Sequence, residues 1–121
     1  MLSSQSPVIV MKDGKPVLIT GSPGGRTIIN TVLCVVVNVI DFDMSVQDAV
    51  SASRLHHQWF PDVLRFEGVK QHPKLVEELK KMGHTVTEHR QGDAHSIGID
   101  PKTGLRTGVA DKRLDGKAVG E

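Results

Sequence analysis

The sequence predicts an α+β domain in which two β-hairpins and further strands pack against two or three helices. Two turn signals and one long apolar stretch lead to this fold class. Asp13-Gly14 separates two apolar runs, residues 100–104 form a second turn between apolar runs, and residues 26–41 are too long for a typical strand. With 121 residues, the chain has the length of a single domain, residues 1–121, or of part of a larger one.

The first hairpin is predicted from the apolar runs at residues 7–11 and 16–20, which flank the turn from Lys12 to Lys15. An Asp-Gly pair between two such runs is a strong hairpin signal. Both runs are more continuously apolar than alternating, so we expect a strand pair that is covered on both faces.

The apolar stretch from Arg26 to Asp41 is predicted to be a helix because of its length. Its apolar side chains extend most of the way round the helix axis: Ile28, Ile29, Val32, Leu33, Val35, Val36, Val37, Val39 and Ile40. We therefore expect a helix that is buried on nearly every side, with a buried, inert thiol at Cys34. A chain of this size has difficulty burying such a helix, which is a first indication of partners.

The remaining elements follow from local signals. A short helix over residues 45–52 has Ser45 as its N-cap, and an amphipathic helix runs from Pro73 to Met82. We expect residues 54–61 to be irregular, strands at residues 63–67, 85–88, 94–99 and 105–110, and a polar tail from residue 112.

Composition and charge argue against several classes of protein. The formal net charge is +1 and the basic residues are scattered, which gives little support for nucleic-acid binding. The N-terminus lacks the features of a signal peptide, and the longest apolar stretch is far too short to span a membrane. The single cysteine excludes an internal disulfide, and no cofactor-binding motif is present.

The turn from Gly21 to Thr27 is the first candidate site. A strand that breaks at glycines and continues as a helix leaves backbone N–H groups at the helix start. Such donors suit a carboxylate, a phosphate or a developing oxyanion, and Gly24 and Gly25 allow a ligand close to the backbone. Alternatively, the glycines only bend the chain between strand and helix. The pattern alone leaves both interpretations open.

Other candidate residues carry weaker signals. Ser3 and Ser4 are paired hydroxyls that suit a substrate carboxylate, or else they belong to a disordered N-terminus. Adjacent His56 and His57 suggest a metal, but no further ligand motif accompanies them, so packing or loop hydrogen bonding is the favoured role. Four acidic residues suit acid–base catalysis although their spacing does not pair them: Asp62, Glu67, Asp93 and Asp111.

Four stretches, taken in order, resemble the light subunit of the γ-glutamyltranspeptidase family: residues 2–9, 20–25, 54–62 and 108–113. The resemblance runs nearly from end to end. It implies part of an N-terminal-nucleophile hydrolase fold, a four-layer αββα sandwich. It also implies cleavage of the γ-glutamyl amide of glutathione, with transfer of the acyl group to water, an amino acid or a peptide.

By this resemblance, Ser3 and Ser4 hold the α-carboxylate of the γ-glutamyl group, and the backbone N–H groups of Gly24 and Gly25 form the oxyanion hole. The histidine pair matches a structural stretch without metal, and no cofactor is implied. The nucleophile of the family is the N-terminal threonine of the light subunit, which no residue here matches. We therefore expect the nucleophile to lie in upstream polypeptide. Met1 and Lys112 stand where the family often has proline.

Two hypotheses of different classes follow. In the first, the chain is the C-terminal portion of a γ-glutamyltranspeptidase light subunit that requires a complementary upstream chain or large subunit. The resemblance then implies a periplasmic or extracellular location. In the second, it is a stand-alone, non-catalytic homodimer that reuses half the fold for binding. A related capsule depolymerase or acylase on the same scaffold is a third possibility.

Overall fold

The computed structural model describes residues 6–120, in which two sheets and three α-helices form an α+β arrangement, as predicted. The strands are β1 (Val8–Lys12), β2 (Lys15–Gly21), β3 (Leu55–His56), β4 (Leu64–Phe66), β5 (Val86–Glu88), β6 (His95–Ile99) and β7 (Arg106–Ala110), and the helices are α1 (Ile28–Ile40), α2 (Val46–Ser51) and α3 (Pro73–Lys81). Across residues 6–120, every helix is too short or too polar to cross a bilayer.

The larger sheet has the strand order β1-β2-β6-β7, and all of its neighbouring strands are antiparallel. β1 and β2 form the predicted hairpin, in which Val8 lies opposite Thr20. Asp13 and Gly14 at its tip both have positive φ angles, 49° and 74°. This is the backbone conformation of a type I′ turn, which explains why Asp-Gly indicated a hairpin.

Helices α1 and α2 cover one face of this sheet. The buried core between them and the strands consists of Leu18, Val35, Val46, Val50, Ala94 and Val109. α2 lies very close to β6, because a Cβ atom at Gly98 would be 2.9 Å from Cγ1 of Val46. Burying each large aliphatic side chain of this core contributes roughly 1.5–3 kcal/mol, so the sheet and its two helices form a stable layer pair.

The opposite face of the larger sheet is open within the described residues. Ile9 and Met11 on β1 are 62% and 55% exposed, and Ile97 on β6 is 39% exposed. The expectation of a hairpin covered on both faces is wrong for this part of the chain, because the helices that pack on the sheet lie on its other side.

Helix α1 is buried on one side only. It starts after a 3₁₀ turn, Gly25–Thr27, and it buries Ile28, Thr31, Val32 and Val35. On its outer side, Ile29 and Leu33 remain 53% and 54% exposed. The expected burial on nearly every side is therefore wrong within residues 6–120. Cys34 is likewise half-buried rather than buried, with Sγ 3.9 Å from the carbonyl oxygen of Leu55.

The smaller sheet has the order β3-β4-β5. β3 lies where an irregular segment was expected, because Leu55 and His56 pair antiparallel with β4. β4 and β5 are parallel, and α3 packs on them through a second apolar cluster of Leu64, Phe66 and Val76. This sheet positions Glu67, which directly follows β4, beside the elements that carry the candidate site.

Candidate functional site

The turn between β2 and α1 exposes its glycines at the surface. Gly24 and Gly25 have φ angles of 136° and 57°, a region that glycine adopts readily and other residues rarely do. The carbonyl oxygen of Gly24 accepts hydrogen bonds from the N–H group and the hydroxyl of Thr27, at 3.2 and 3.0 Å. Thr27 thus fixes Gly24 at the start of the 3₁₀ segment. Pro23, Gly24 and Gly25 stay accessible to a ligand.

Ser22 links this turn to the segment before β6. Its hydroxyl donates to the carbonyl oxygen of Pro23 at 2.6 Å and accepts from the N–H group of Asp93 at 3.0 Å. A Cβ atom on Gly24 would lie 3.5 Å from Cα of Gly92. The turn therefore packs directly on residues 92–93, and movement of that segment would move the turn.

Ser3 and Ser4, the predicted substrate-binding pair, lie outside the described residues. The chain that follows them enters β1 beside the turn, since Val8 lies opposite Thr20. A Cβ atom on Gly21 would be 3.9 Å from Cα of Pro7. The roles of both serines stay predictions.

A cavity of about 330 Å³ lies next to the turn, and Gly24, Arg90, Gln91 and Asp93 are among the residues that line it. Gln91 and Asp93 are each only 4% exposed. Oδ2 of Asp93 lies 3.0 Å from Nε2 of His95. The cavity thus combines the backbone of the glycine turn with buried polar side chains.

Two arginines, one buried and one partly buried, join parts of the chain that are distant in sequence. Arg54, 1% exposed, donates from Nη2 to Oδ2 of Asp111 at 2.6 Å and from Nη1 to the carbonyl oxygen of Gln91 at 3.0 Å. Arg113 donates from Nη1 to Oδ1 of Asp111 at 3.0 Å, and its Nε and Nη2 both bind the carboxylate of Glu67. These two cations and two carboxylates form one network, which we call the arginine network.

Opposing effects set the pKa values in the arginine network. Burial raises the pKa of the Asp111 carboxyl, but the N–H group of Ala94 and the Arg54 guanidinium outweigh it, so the pKa is lowered overall. Burial, followed by repulsion from Arg113, lowers the pKa of Arg54. Burial also opposes the charge of Arg113, yet its bonds to Glu67 raise its pKa overall. Asp111 is therefore ionised at neutral pH.

The arginine network fixes the segment that supports the turn. The carbonyl oxygen of Gln91 accepts from Arg54, and its N–H group donates to Oε1 of Glu67 at 2.7 Å. The N–H group of Ala94 donates to Asp111 at 2.8 Å. Residues 91–94 are thereby held from both ends, with the contact to Ser22 and Gly24 between them.

The acidic residues are arranged in a way that their spacing did not predict. Glu67 and Asp111 meet through Arg113, Asp93 lies beside the turn, and Asp62 lies apart at the surface with His57. Arg54 and Arg113 are not among the candidate residues predicted from the sequence. The available signal was their position, because Arg54 and Arg113 stand in two of the stretches, residues 54–62 and 108–113, that carry the family resemblance.

The two adjacent histidines order their loop. Nε2 of His56, a 2% exposed residue, lies 2.9 Å from Oε1 of Gln58, and Nε2 of His57 lies 3.0 Å from Oδ1 of Asp62. This confirms the expected role in loop hydrogen bonding. Within residues 6–120, no three His, Cys, Asp or Glu side chains are grouped as metal ligands would be.

Comparison with known proteins finds relatives that all belong to one family. The gamma-glutamyltranspeptidase family profile matches residues 1–121. The chain is 47% identical over 114 residues to the glutathione hydrolase proenzyme of Escherichia coli K12, covering 93% of this chain and 19% of that protein. It is 40% identical over 124 residues to the glutathione hydrolase proenzyme of Pseudomonas aeruginosa, covering 99% of this chain and 22% of that protein. The chain therefore spans about a fifth of the length of these relatives.

Solved structures show the same relationship. A crystal structure of a threonine-to-alanine mutant of Helicobacter pylori gamma-glutamyltranspeptidase is 45% identical with a TM-score of 0.88, covering 93% of this chain and 62% of that one. The α+β fold described above is thus part of the N-terminal-nucleophile hydrolase fold. On both the sequence and the structural comparison, this chain belongs to the γ-glutamyltranspeptidase family.

Proposed function

We propose that this chain, residues 1–121, is the C-terminal portion of the light subunit of a γ-glutamyltransferase and glutathione hydrolase. The observation that carries the proposal is the exposed glycine turn at the start of α1, in a chain that matches this family along its whole length. The enzyme cleaves the γ-glutamyl amide of glutathione-like substrates and passes the acyl group to water, an amino acid or a peptide.

In this mechanism the backbone N–H groups of Gly24 and Gly25 stabilise the oxyanion that develops on the γ-carbonyl. Such donors act because they are already oriented when the charge develops, and removing one typically costs about 10²–10³ in kcat. Thr27 and Ser22 support this role, since their hydrogen bonds fix the backbone on both sides of Gly24.

Ser3 and Ser4 hold the α-carboxylate of the γ-glutamyl group by hydrogen bonds. The proposal is supported by the path of the chain, because residue 7 runs beside Gly21 at the start of the turn. A carboxylate held there would orient the γ-carbonyl relative to the glycine backbone.

The nucleophile comes from upstream polypeptide, as an N-terminal threonine whose own amine serves as base. The open face of the larger sheet supports a partner polypeptide of this kind. Ile9 and Ile97 are exposed there, and an αββα sandwich packs a second sheet on such a face.

The test is cleavage of γ-glutamyl-p-nitroanilide by the 121-residue chain alone and in complex with its upstream polypeptide. We expect no turnover from the chain alone and turnover from the complex. A folded complex that stays inactive, while the full-length Escherichia coli relative works in the same assay, would refute the proposal. Light scattering on the chain alone tests the alternative, since a well-defined homodimer favours the non-catalytic binding protein.

Within the complex, Gly24→Ala tests the turn and Gly83→Ala is its matched control. Both glycines have positive φ, 136° and 95°. A Cβ atom at Gly24 would lie 2.7 Å from Oγ1 of Thr27, whereas one at Gly83 would meet nothing within 4 Å. We expect kcat to fall at least tenfold for Gly24→Ala and to change little for Gly83→Ala.

A further inference from the structure

The two N–H groups of the glycine turn belong to two consecutive peptide groups. The N–H group of Gly24 shares a plane with the carbonyl of Pro23, and the N–H group of Gly25 shares a plane with the carbonyl of Gly24. Because both peptide groups are planar and trans, the N–H and the C=O of each point in opposite directions. A donor that holds the carbonyl oxygen therefore also sets the direction of the N–H group.

The hydroxyl of Ser22 holds the first of these carbonyls. Oγ of Ser22 lies 2.6 Å from the carbonyl oxygen of Pro23 and 3.0 Å from the backbone nitrogen of Asp93. The N–H group of Asp93 can only donate, so the Ser22 oxygen accepts there and its single hydrogen is directed at the Pro23 carbonyl. Among the described residues, the direction of the Gly24 N–H group thus depends on the Ser22 side chain.

Thr27 holds the second carbonyl. Its N–H group and its hydroxyl both donate to the carbonyl oxygen of Gly24, at 3.2 and 3.0 Å, and the residue is only 6% exposed. The ψ angle of Gly24 is 15°, which places the nitrogen atoms of Gly24 and Gly25 on the same side of the bond between them. The two N–H groups therefore lie next to each other, as donors to one oxygen atom must.

Ser22 also anchors the turn to a well-held part of the chain. Its partner Asp93 lies between Gln91 and Ala94, whose backbone groups bond to the arginine network. The Ser22 hydroxyl therefore connects the Pro23 carbonyl to a segment that buried ion pairs keep in place.

We infer that the hydroxyls of Ser22 and Thr27 are positioning groups, which direct the N–H groups of Gly24 and Gly25 at the oxyanion without touching the substrate. The role of the two glycines themselves rests on the proposed function. Donors that are already oriented stabilise the developing charge, and a hydrogen bond to the carbonyl also polarises the amide and strengthens its N–H group as a donor. Ser22 has the larger effect, because the Thr27 N–H group still holds the Gly24 carbonyl when the Thr27 hydroxyl is removed.

The first test measures kcat and KM for γ-glutamyl-p-nitroanilide in the complex with the upstream polypeptide. In Ser22→Ala we expect kcat to fall at least about fivefold, which is less than the loss of about 10²–10³ for a deleted donor, because the N–H group is still present. The KM should stay within about twofold, since the interaction acts in the transition state. Ser22→Thr keeps a hydroxyl and should restore most of the lost kcat, whereas Thr27→Val should lower kcat by a smaller factor than Ser22→Ala.

Ser45→Ala is the matched control. The Ser45 hydroxyl also donates to one oxygen atom, Oδ2 of Asp48 at 2.6 Å, and accepts from one backbone N–H group, that of Asp48 at 3.1 Å, but it does so at the start of α2. Its loss should leave kcat unchanged. An unchanged kcat in Ser22→Ala, an equal loss in Ser22→Thr, or an equal loss in Ser45→Ala overturns the inference.

A second measurement does not depend on activity. In a complex in which only the 121-residue chain carries ¹⁵N, the NMR order parameter of the Gly24 N–H group should fall in Ser22→Ala from the rigid value of about 0.85 toward the flexible range below about 0.6. Ser45→Ala should leave it unchanged. If the order parameter and the chemical shift of this N–H group do not change in Ser22→Ala, the inference is wrong. A parent complex without turnover counts against the proposed function, and the NMR measurement then decides by itself whether Ser22 sets the Gly24 N–H group.

Discussion

Removal of the Asp111 carboxylate should strongly destabilise the chain. Asp111 is 2% exposed, and its oxygens accept from Arg54, Ala94 and Arg113. In Asp111→Ala the Arg54 guanidinium, 1% exposed, remains buried without its carboxylate partner. Breaking a buried ion pair by removing one partner typically costs about 3–5 kcal/mol. Since the free energy of unfolding of native proteins is only about 5–15 kcal/mol, this single change should remove a large part of the stability.

The measurement is the free energy of unfolding of the 121-residue chain in urea, followed by far-UV circular dichroism. Fluorescence of Trp59 would be a poor reporter, because that side chain is 84% exposed. Glu78→Ala is the control, since it also removes a carboxylate, in this case one that binds Lys81 at 2.9 Å on the surface. Screened surface pairs contribute little, so its urea midpoint should barely move.

A double-mutant cycle with Arg54→Met measures the interaction energy between Arg54 and Asp111 apart from their contacts with other residues. If the cost of Asp111→Ala is mainly an unpaired buried charge, it should shrink by at least about 1 kcal/mol when Arg54 is already replaced. A cost of less than about 1 kcal/mol for Asp111→Ala, or additive effects of the two replacements, would show that Arg54 and Asp111 do not depend on each other in this way.

Three further predictions use the same unfolding assay. The pKa of Asp111 is lower in the folded than in the unfolded state, so its ionised carboxylate contributes fully to stability above its unfolded pKa of about 3.9, and this contribution is lost as the pH falls through the lower folded pKa. The free energy of unfolding should therefore drop below about pH 4, and an equally steep drop in Asp111→Ala would contradict this. Gly92→Ala places a Cβ atom 2.3 Å from Oγ1 of Thr31, whereas the Cβ atom of Gly104→Ala, at a similar positive φ, meets nothing within 4 Å. Gly92→Ala should therefore lower the free energy of unfolding by at least about 2 kcal/mol more than Gly104→Ala, and equal losses would indicate that only backbone strain matters. Ser45→Ala removes the side chain that accepts from the N–H group of Asp48 at 3.1 Å and should cost about 1 kcal/mol, so no loss would show that α2 does not need this cap.

Local signals in the sequence predicted most of the elements. The Asp13-Gly14 turn, the Ser45 cap and the apolar periodicity of α3 each depend on residues that are close in sequence. A turn, a cap or an amphipathic face is determined by such neighbours, so these features could be predicted before any tertiary contact was known.

The short strand β3 could not be predicted in this way. Leu55 and His56 become a strand only because β4 lies beside them, and nothing in their own residue types requires it. Two residues carry too little periodicity to indicate any structure.

The burial of α1 was overestimated for a related reason. Its sequence is apolar nearly all round, but α2 and the sheet cover only the side of Val32 and Val35. Hydrophobicity shows which side chains favour burial, whereas the neighbours that bury them are set by the fold and by partner polypeptides.

One part of the candidate site follows from the sequence, and the other part follows only from the tertiary structure. The sequence by itself determined the glycine turn, because Gly24 and Gly25 are required by backbone conformations that other residues rarely adopt. It also determined the family, since motifs from residue 2 to residue 113 follow in order. Only the tertiary structure decided that Arg54, Glu67, Asp111 and Arg113 form one network and that residues 91–94 support the turn. Ion pairs between residues separated by 46 and 57 positions leave no periodic trace in the sequence, because the folded backbone alone brings the charges within bonding distance.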